Sequence, residues 1–123
     1  MLGIDIIEIS RIESASADER FLARHFTPNE IEYFKSKNMS PATVAGNWAA
    51  KEAFSKALGT GVRGFSLSDV EILRTGMGKP FIKCKGRRLY CNVSISHSKE
   101  NAIAAVFLPW LGIICAKLIL KHK

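Results

Sequence analysis

The hydrophobic pattern changes period several times along the chain. Residues 2–9 form a short run rich in β-branched residues, with Asp5 in its middle. That run predicts a strand buried on both faces. Residues 10–26 begin small and polar and close on Arg20-Phe21-Leu22-Ala23-Arg24-His25-Phe26. Ser10 is placed to cap a short first helix. Thr27-Pro28-Asn29-Glu30 is a clearer helix start: Thr27 caps, Pro28 takes the first position, and Glu30 completes a capping box. Ile31 and Phe34 face inward. Ser40-Pro41 opens a longer helix, rich in Ala, that runs to about Leu58 and stops at Gly59 and Gly61. Residues 69–74, 81–85 and 89–96 then read as strands, the last with Leu89, Cys91, Val93 and Ile95 on one face. Residues 102–108 return as its hairpin partner. Pro109 and Gly112 divide the apolar stretch 102–120, so a transmembrane helix is not expected; 113–123 predicts a short helix with a basic end. The elements add up to an α+β fold, a small antiparallel sheet packed on one long central helix. Residues 1–108 form a single domain and 109–123 an apolar and basic C-terminal extension.

Composition narrows the class. The chain has 123 residues, 47% of them hydrophobic, enough for a globular core. Eighteen basic and 11 acidic residues give a formal net charge of +7, which favours an anionic partner. Cys84, Cys91 and Cys115 form no CxxC pair, so they read as reduced thiols and not as a zinc site. The first residues lack the pattern of a signal peptide, and a cytoplasmic protein is expected. GxxxxGK[ST] is absent, which excludes a P-loop.

The chemistry concentrates on the central helix. Glu52, Ser55, Lys56 and Gly59 recur at spacings of three and four and share one face. Ala50, Phe54, Ala57 and Leu58 form the opposite, apolar side, with Trp48 near the boundary. A carboxylate, a hydroxyl, an ammonium and a Gly-ended turn suit a phosphate and its metal. Alone, Glu52 and Lys56 also fit an ordinary solvated i, i+4 pair. Two readings are open for Asp5: a carboxylate that receives hydrogen bonds from a nearby turn or helix end, or a cation ligand. His97 ends the strand of residues 89–96.

Three pieces stand together in order: Gly3-Ile4-Asp5, Trp48-Ala-Ala-Lys-Glu52-Ala-Phe-Ser-Lys56-Ala-Leu-Gly-Thr-Gly61, and Ser94-Ile-Ser-His97-Ser, with Gly78-Lys79-Pro80 between the last two. This combination resembles the 4′-phosphopantetheinyl transferase superfamily, most closely its small bacterial holo-[acyl-carrier-protein] synthase branch. The likeness covers about residues 2–108. It implies transfer of the phosphopantetheine arm of coenzyme A to a serine of apo acyl carrier protein, for fatty acid biosynthesis. Asp5 and Glu52 then resemble ligands of Mg²⁺, and Lys56 a pyrophosphate contact beside Ser55 and Gly59. Gly78, Lys79, Pro80, Ser96 and His97 resemble contacts to the nucleotide. The general base is Glu52 or a water that it orients on the metal. Arg11, Arg20, Phe21 and Arg24 match the early helical region that docks the acidic carrier protein. The branch forms homotrimers with active sites between subunits.

Two features depart from the family's pattern. Asn47 stands where related bacterial enzymes often carry Arg, directly before the aromatic residue. The segment after Leu108 is longer and more apolar than the family's. An added subunit contact and a membrane-surface contact are both open for it, with a membrane not the expected partner. The rival reading is a non-catalytic nucleic-acid-binding module with a groove of Lys83, Lys85, Arg87, Arg88 and Tyr90. It leaves Asp5 and the Glu52–Lys56 face unexplained, so no nucleic acid is expected.

Overall fold

The computed structural model describes residues 1–60 and 64–121; Gly61, Arg63 and the last two residues of the predicted tail helix lie outside them. The order is β1 (Leu2–Glu8), α1 (Ile9–Ser16), α2 (Glu19–His25), α3 (Pro28–Ser36), α4 (Pro41–Leu58), β2 (Val70–Arg74), β3 (Pro80–Cys84), β4 (Arg87–Arg88), β5 (Asn92–His97), β6 (Asn101–Phe107) and α5 (Trp110–Lys121). The single small sheet expected is two, both antiparallel: β1-β6-β5 and β2-β3-β4. The central helix α4 packs on β1, β5, β6 and β2.

Glycine sets how closely helix and sheet approach. A Cβ on Gly3 would lie 1.9 Å from the Ala53 carbonyl oxygen and 2.6 Å from the Ala57 nitrogen. Only a strand without a side chain there can lie on the Ala-lined flank of α4. The helix buries Ala49, Ala50, Ala53, Phe54 and Ala57 completely. It ends where the pattern predicts, on Gly59 with φ +87°, whose N–H donates to the Lys56 carbonyl at 3.0 Å.

The capping box of α3 is present, with Thr27 Oγ1 accepting from Glu30 N–H. Ser10 does not cap: α1 starts one residue earlier, and Ser10 lies inside it. The other correction concerns β1. Its Gly3, Asp5 and Ile7 side faces α4, whereas Leu2, Ile4 and Ile6 are 61%, 50% and 63% exposed. Register places Ile103 opposite Ile6 and Phe107 opposite Leu2, and both partners are exposed as well. The run is apolar on both faces, but this chain covers only the Gly3, Asp5 and Ile7 side. Cys84 is buried, and burial pushes its thiol up to about 12; Cys91 is partly covered and Cys115 exposed, all three unbridged.

Candidate active site

Lys51 and Glu52 are neighbours in sequence and part company in space. Lys51 turns inward and is fully buried. Its ammonium meets Glu30 Oε1 at 2.5 Å and donates to the carbonyls of His25 at 2.7 Å and Leu67 at 2.9 Å. Glu30 also accepts from the Thr27 N–H at 3.0 Å, the Asn47 amide at 3.0 Å and the Ile72 N–H at 3.2 Å. Burial pushes the Glu30 carboxyl up and the Lys51 ammonium down, and their mutual contact opposes both shifts.

Glu52, one residue on, turns 100° around the helix toward Asp5 and Lys56. Lys56 Nζ donates to Asp5 Oδ1 at 3.2 Å and to the Ile4 carbonyl at 3.0 Å. The Lys56 side chain is 54% exposed and that of Asp5 17%. Asp5 thus has a partner and still borders solvent. Burial raises the Glu52 carboxyl first; the Asp5 charge raises it further, and Lys56 pulls it back. Two carboxylates beside one lysine form a site short of positive charge. Glu52 also borders a cleft of about 1030 Å³, with Arg24, His25, Trp48, Phe65 and Asp69 among its walls.

Ser55 shares the predicted face, but it is buried and its hydroxyl donates to the Glu52 carbonyl at 2.7 Å. The hydroxyl is thus taken up by its own helix. Gly59 lies exposed at the helix end.

Gly78, Pro80 and His97 gather elsewhere. They line a pocket of about 210 Å³ at the start of α4, with Tyr33, Thr43, Gly46 and Arg74. Gly46 and Lys56 are ten residues apart, about 15 Å along the helix axis. Lys79 is exposed on the β2–β3 turn, outside that lining. Ser96 pairs with Ile103 and points out on the exposed face of the first sheet. Asp5, Glu52 and Lys56 therefore form one group and Gly78, Pro80 and His97 another, with Lys79 and Ser96 in neither.

A sequence profile of the 4′-phosphopantetheinyl transferase superfamily matches residues 1–107. The chain belongs to that superfamily. It is 54% identical over 112 residues to the holo-[acyl-carrier-protein] synthase of Clostridium beijerinckii, covering 84% of this chain and 91% of that protein. Among solved structures, the Helicobacter pylori holo-[acyl-carrier-protein] synthase in complex with coenzyme A superposes with a TM-score of 0.76 at 34% identity, covering 87% of this chain and 98% of that one. The Bacillus anthracis holo-(acyl-carrier-protein) synthase in complex with CoA (3′,5′-ADP) gives 0.75 at 42% identity, covering 85% and 91%.

Seen as a phosphopantetheinyl transferase, the chain shows what stands behind its Asn47. That residue is fully buried, so position 47 is closed to a ligand in this chain. Its amide donates to Glu30 and to the Ile72 carbonyl, and its Oδ1 accepts from Arg74 Nη2 at 2.9 Å. The guanidinium also stacks over Tyr33, 4.9 Å from the ring centre. Arg74 thereby reaches the pocket that holds His97. Sequence reasoning missed Arg74 and Tyr33, since a lone basic residue at a strand end carries no motif. Arg11, Arg20 and Arg24 are exposed, and Arg20 pairs with Asp18 at 3.5 Å. Phe21 is half-buried and stacks on Trp48 at 5.5 Å.

Proposed function

We propose that this chain moves the 4′-phosphopantetheine arm of coenzyme A to a serine hydroxyl of an apo acyl carrier protein, with Mg²⁺, in the cytoplasm and for fatty acid biosynthesis. The observation that carries the reading is the Asp5–Glu52–Lys56 group, with Lys56 open to solvent and Glu52 in the wall of a large cleft.

The donor set fits a hard cation. Asp5 and Glu52 are close enough for one charge to raise the other's carboxyl, and among the described residues no cluster of three or more His, Cys, Asp or Glu forms a closed metal cage. Mg²⁺ is commonly held this way, by one or two carboxylates with water and substrate phosphate completing the shell. Asp5 and Glu52 would hold the ion, which when bound supplies positive charge to the pyrophosphate.

The chain's own groups do the rest. Lys56 is exposed enough to turn a donor from Asp5 toward a pyrophosphate oxygen. The serine oxygen forms a bond to the β-phosphorus, and the bond from that phosphorus to the bridging oxygen breaks. Adenosine 3′,5′-bisphosphate leaves with the electron pair. Glu52, or a water that it orients, accepts the serine proton. Arg74, His97, Gly78 and Pro80 receive the nucleotide's phosphates and base.

The two groups lie too far apart along α4 to meet one pyrophosphate and its own nucleotide within one chain. We therefore place each site between copies. The exposed apolar face of Leu2, Ile4, Ile6, Ile103 and Phe107 supports this, as does Ser96 on the same face. A homotrimer is the assembly proposed. Arg11, Arg20 and Arg24 offer the acidic carrier protein its docking charge.

The test is intact-mass spectrometry of an apo carrier incubated with the protein, coenzyme A and Mg²⁺. One added phosphopantetheine is expected, lost with chelator and with Asp5→Ala. No addition to several carriers from a folded sample would overturn the reading.

A further inference from the structure

Charge is divided unevenly along the chain. Residues 72–123 hold ten basic residues and one acid, Glu100, whereas residues 1–71 hold eight basic and ten acidic residues. The basic half ends in α5, which follows the last family-matched residue. One side of α5, Gly112, Ile113, Ala116 and Leu120, is buried, and the helix packs on α4 and β3. Gly112 permits the close fit, since a Cβ there would lie 2.6 Å from the Tyr90 carbonyl oxygen. The other side exposes Trp110 by 77%, Leu111 by 64% and Leu118 by 57%. Trp110, Ile114 and Leu118 recur every four residues and make one ridge.

Cations flank the ridge. Lys117 and Lys121 are exposed on α5 itself. Lys85 and Arg87, from the β3–β4 hairpin, line a groove with Leu118 and Ile119. Among the described residues, no carboxylate lines that groove or the neighbouring one beside Lys117 and Lys121. Whatever covers α5 must be apolar in the middle and anionic at the margin. A second copy docking by the same face would set these cations against themselves. The sheet face of Leu2, Ile4 and Ile6 differs, because its flanking residues on β5 are the neutral Asn92, Ser94 and Ser96.

We propose that α5 is a membrane-surface element, laying its Trp110–Leu118 ridge into an anionic bilayer while Arg87, Lys117 and Lys121 sit over the headgroups. Twelve residues of helix measure about 18 Å, too short to cross a bilayer, and no described helix is long and apolar enough to do so. Lying in the interface is the geometry left to such a helix. The inference does not depend on the transfer reaction.

The experiment is co-sedimentation of the full chain with phosphatidylcholine vesicles, with and without phosphatidylglycerol, at low and high salt. Binding to the anionic vesicles alone is expected, weakened by salt. Trp110→Ser with Leu118→Ser should cut partitioning by about tenfold or more, while phosphopantetheine transfer to a soluble carrier is retained. Lys117→Gln with Lys121→Gln should cut it by several-fold. These outcomes overturn the proposal: no sedimentation with anionic vesicles, equal partitioning of the folded serine variant, or a serine variant that dissociates an oligomer or loses the carrier protein with vesicle binding unchanged.

Discussion

The two acid–lysine pairs beside α4 use the same functional groups for opposite ends. In the inner pair every polar atom is occupied: Glu30 meets four donors and Lys51 three acceptors. In the outer pair Lys56 has one carboxylate and one carbonyl, is half exposed, and stands beside a second carboxylate with a raised pKa. Saturation makes the inner pair a structural joint between α3, α4 and β2. Incompleteness makes the outer group a place where charge can be added. A buried ion pair stabilises only when its partners and hydrogen bonds are all present, and the inner pair meets that condition.

The sharpest way to break this contrast is Lys51→Met. It strands the Glu30 charge in the core and should cost about 3–5 kcal/mol in urea unfolding. The double variant Glu30→Met with Lys51→Met should cost clearly less than the sum of the two single changes, because no charge is left unpaired. A small loss from Lys51→Met alone would mean that the inner pair is not the joint described.

Glu52→Gln should behave in reverse. Transfer should fall by about 10²–10³-fold, with no drop in the unfolding midpoint. The pH dependence sharpens this further. Folded, Glu52 binds its proton more tightly than in the unfolded chain, where its value is near 4.5. The group therefore favours the fold below that pH, and the contribution is lost as pH rises through the folded pKa. Glu52→Gln should be at least as stable as the parent near neutrality, and the difference should disappear in unfolding curves below about pH 4. A variant less stable at neutral pH would show that the Glu52 charge holds the fold together.

The smallest effect concerns the far end of α4. Arg74→Gln should raise KM for coenzyme A about tenfold with little change in kcat, while dephospho-coenzyme A responds less. Equal losses with both substrates would assign Arg74 to the Asn47 network and not to the ligand.

How legible this was depends on distance in sequence. The α4 helix, its Gly59 stop and the Thr27 cap depend on neighbours within a turn, and the pattern contained them. Glu52 and Lys56 were legible for the same reason. The joint built from Glu30, Lys51 and Asn47 was not, because its members come from separate elements and look like surface charges one at a time. The exposed face of β1 was hidden for another reason: an apolar residue looks the same in sequence whether its own chain covers it or leaves it open.

Lys51 also has a mechanical consequence. The alanine-lined flank of a helix does little to stop it rolling about its long axis, since such a surface offers little to catch on. Three acceptors around one ammonium act as a key in a slot and remove that freedom. The bearing of the next residue outward is then fixed to within a small arc before any substrate arrives. Glu52 is aimed from behind by the residue that precedes it.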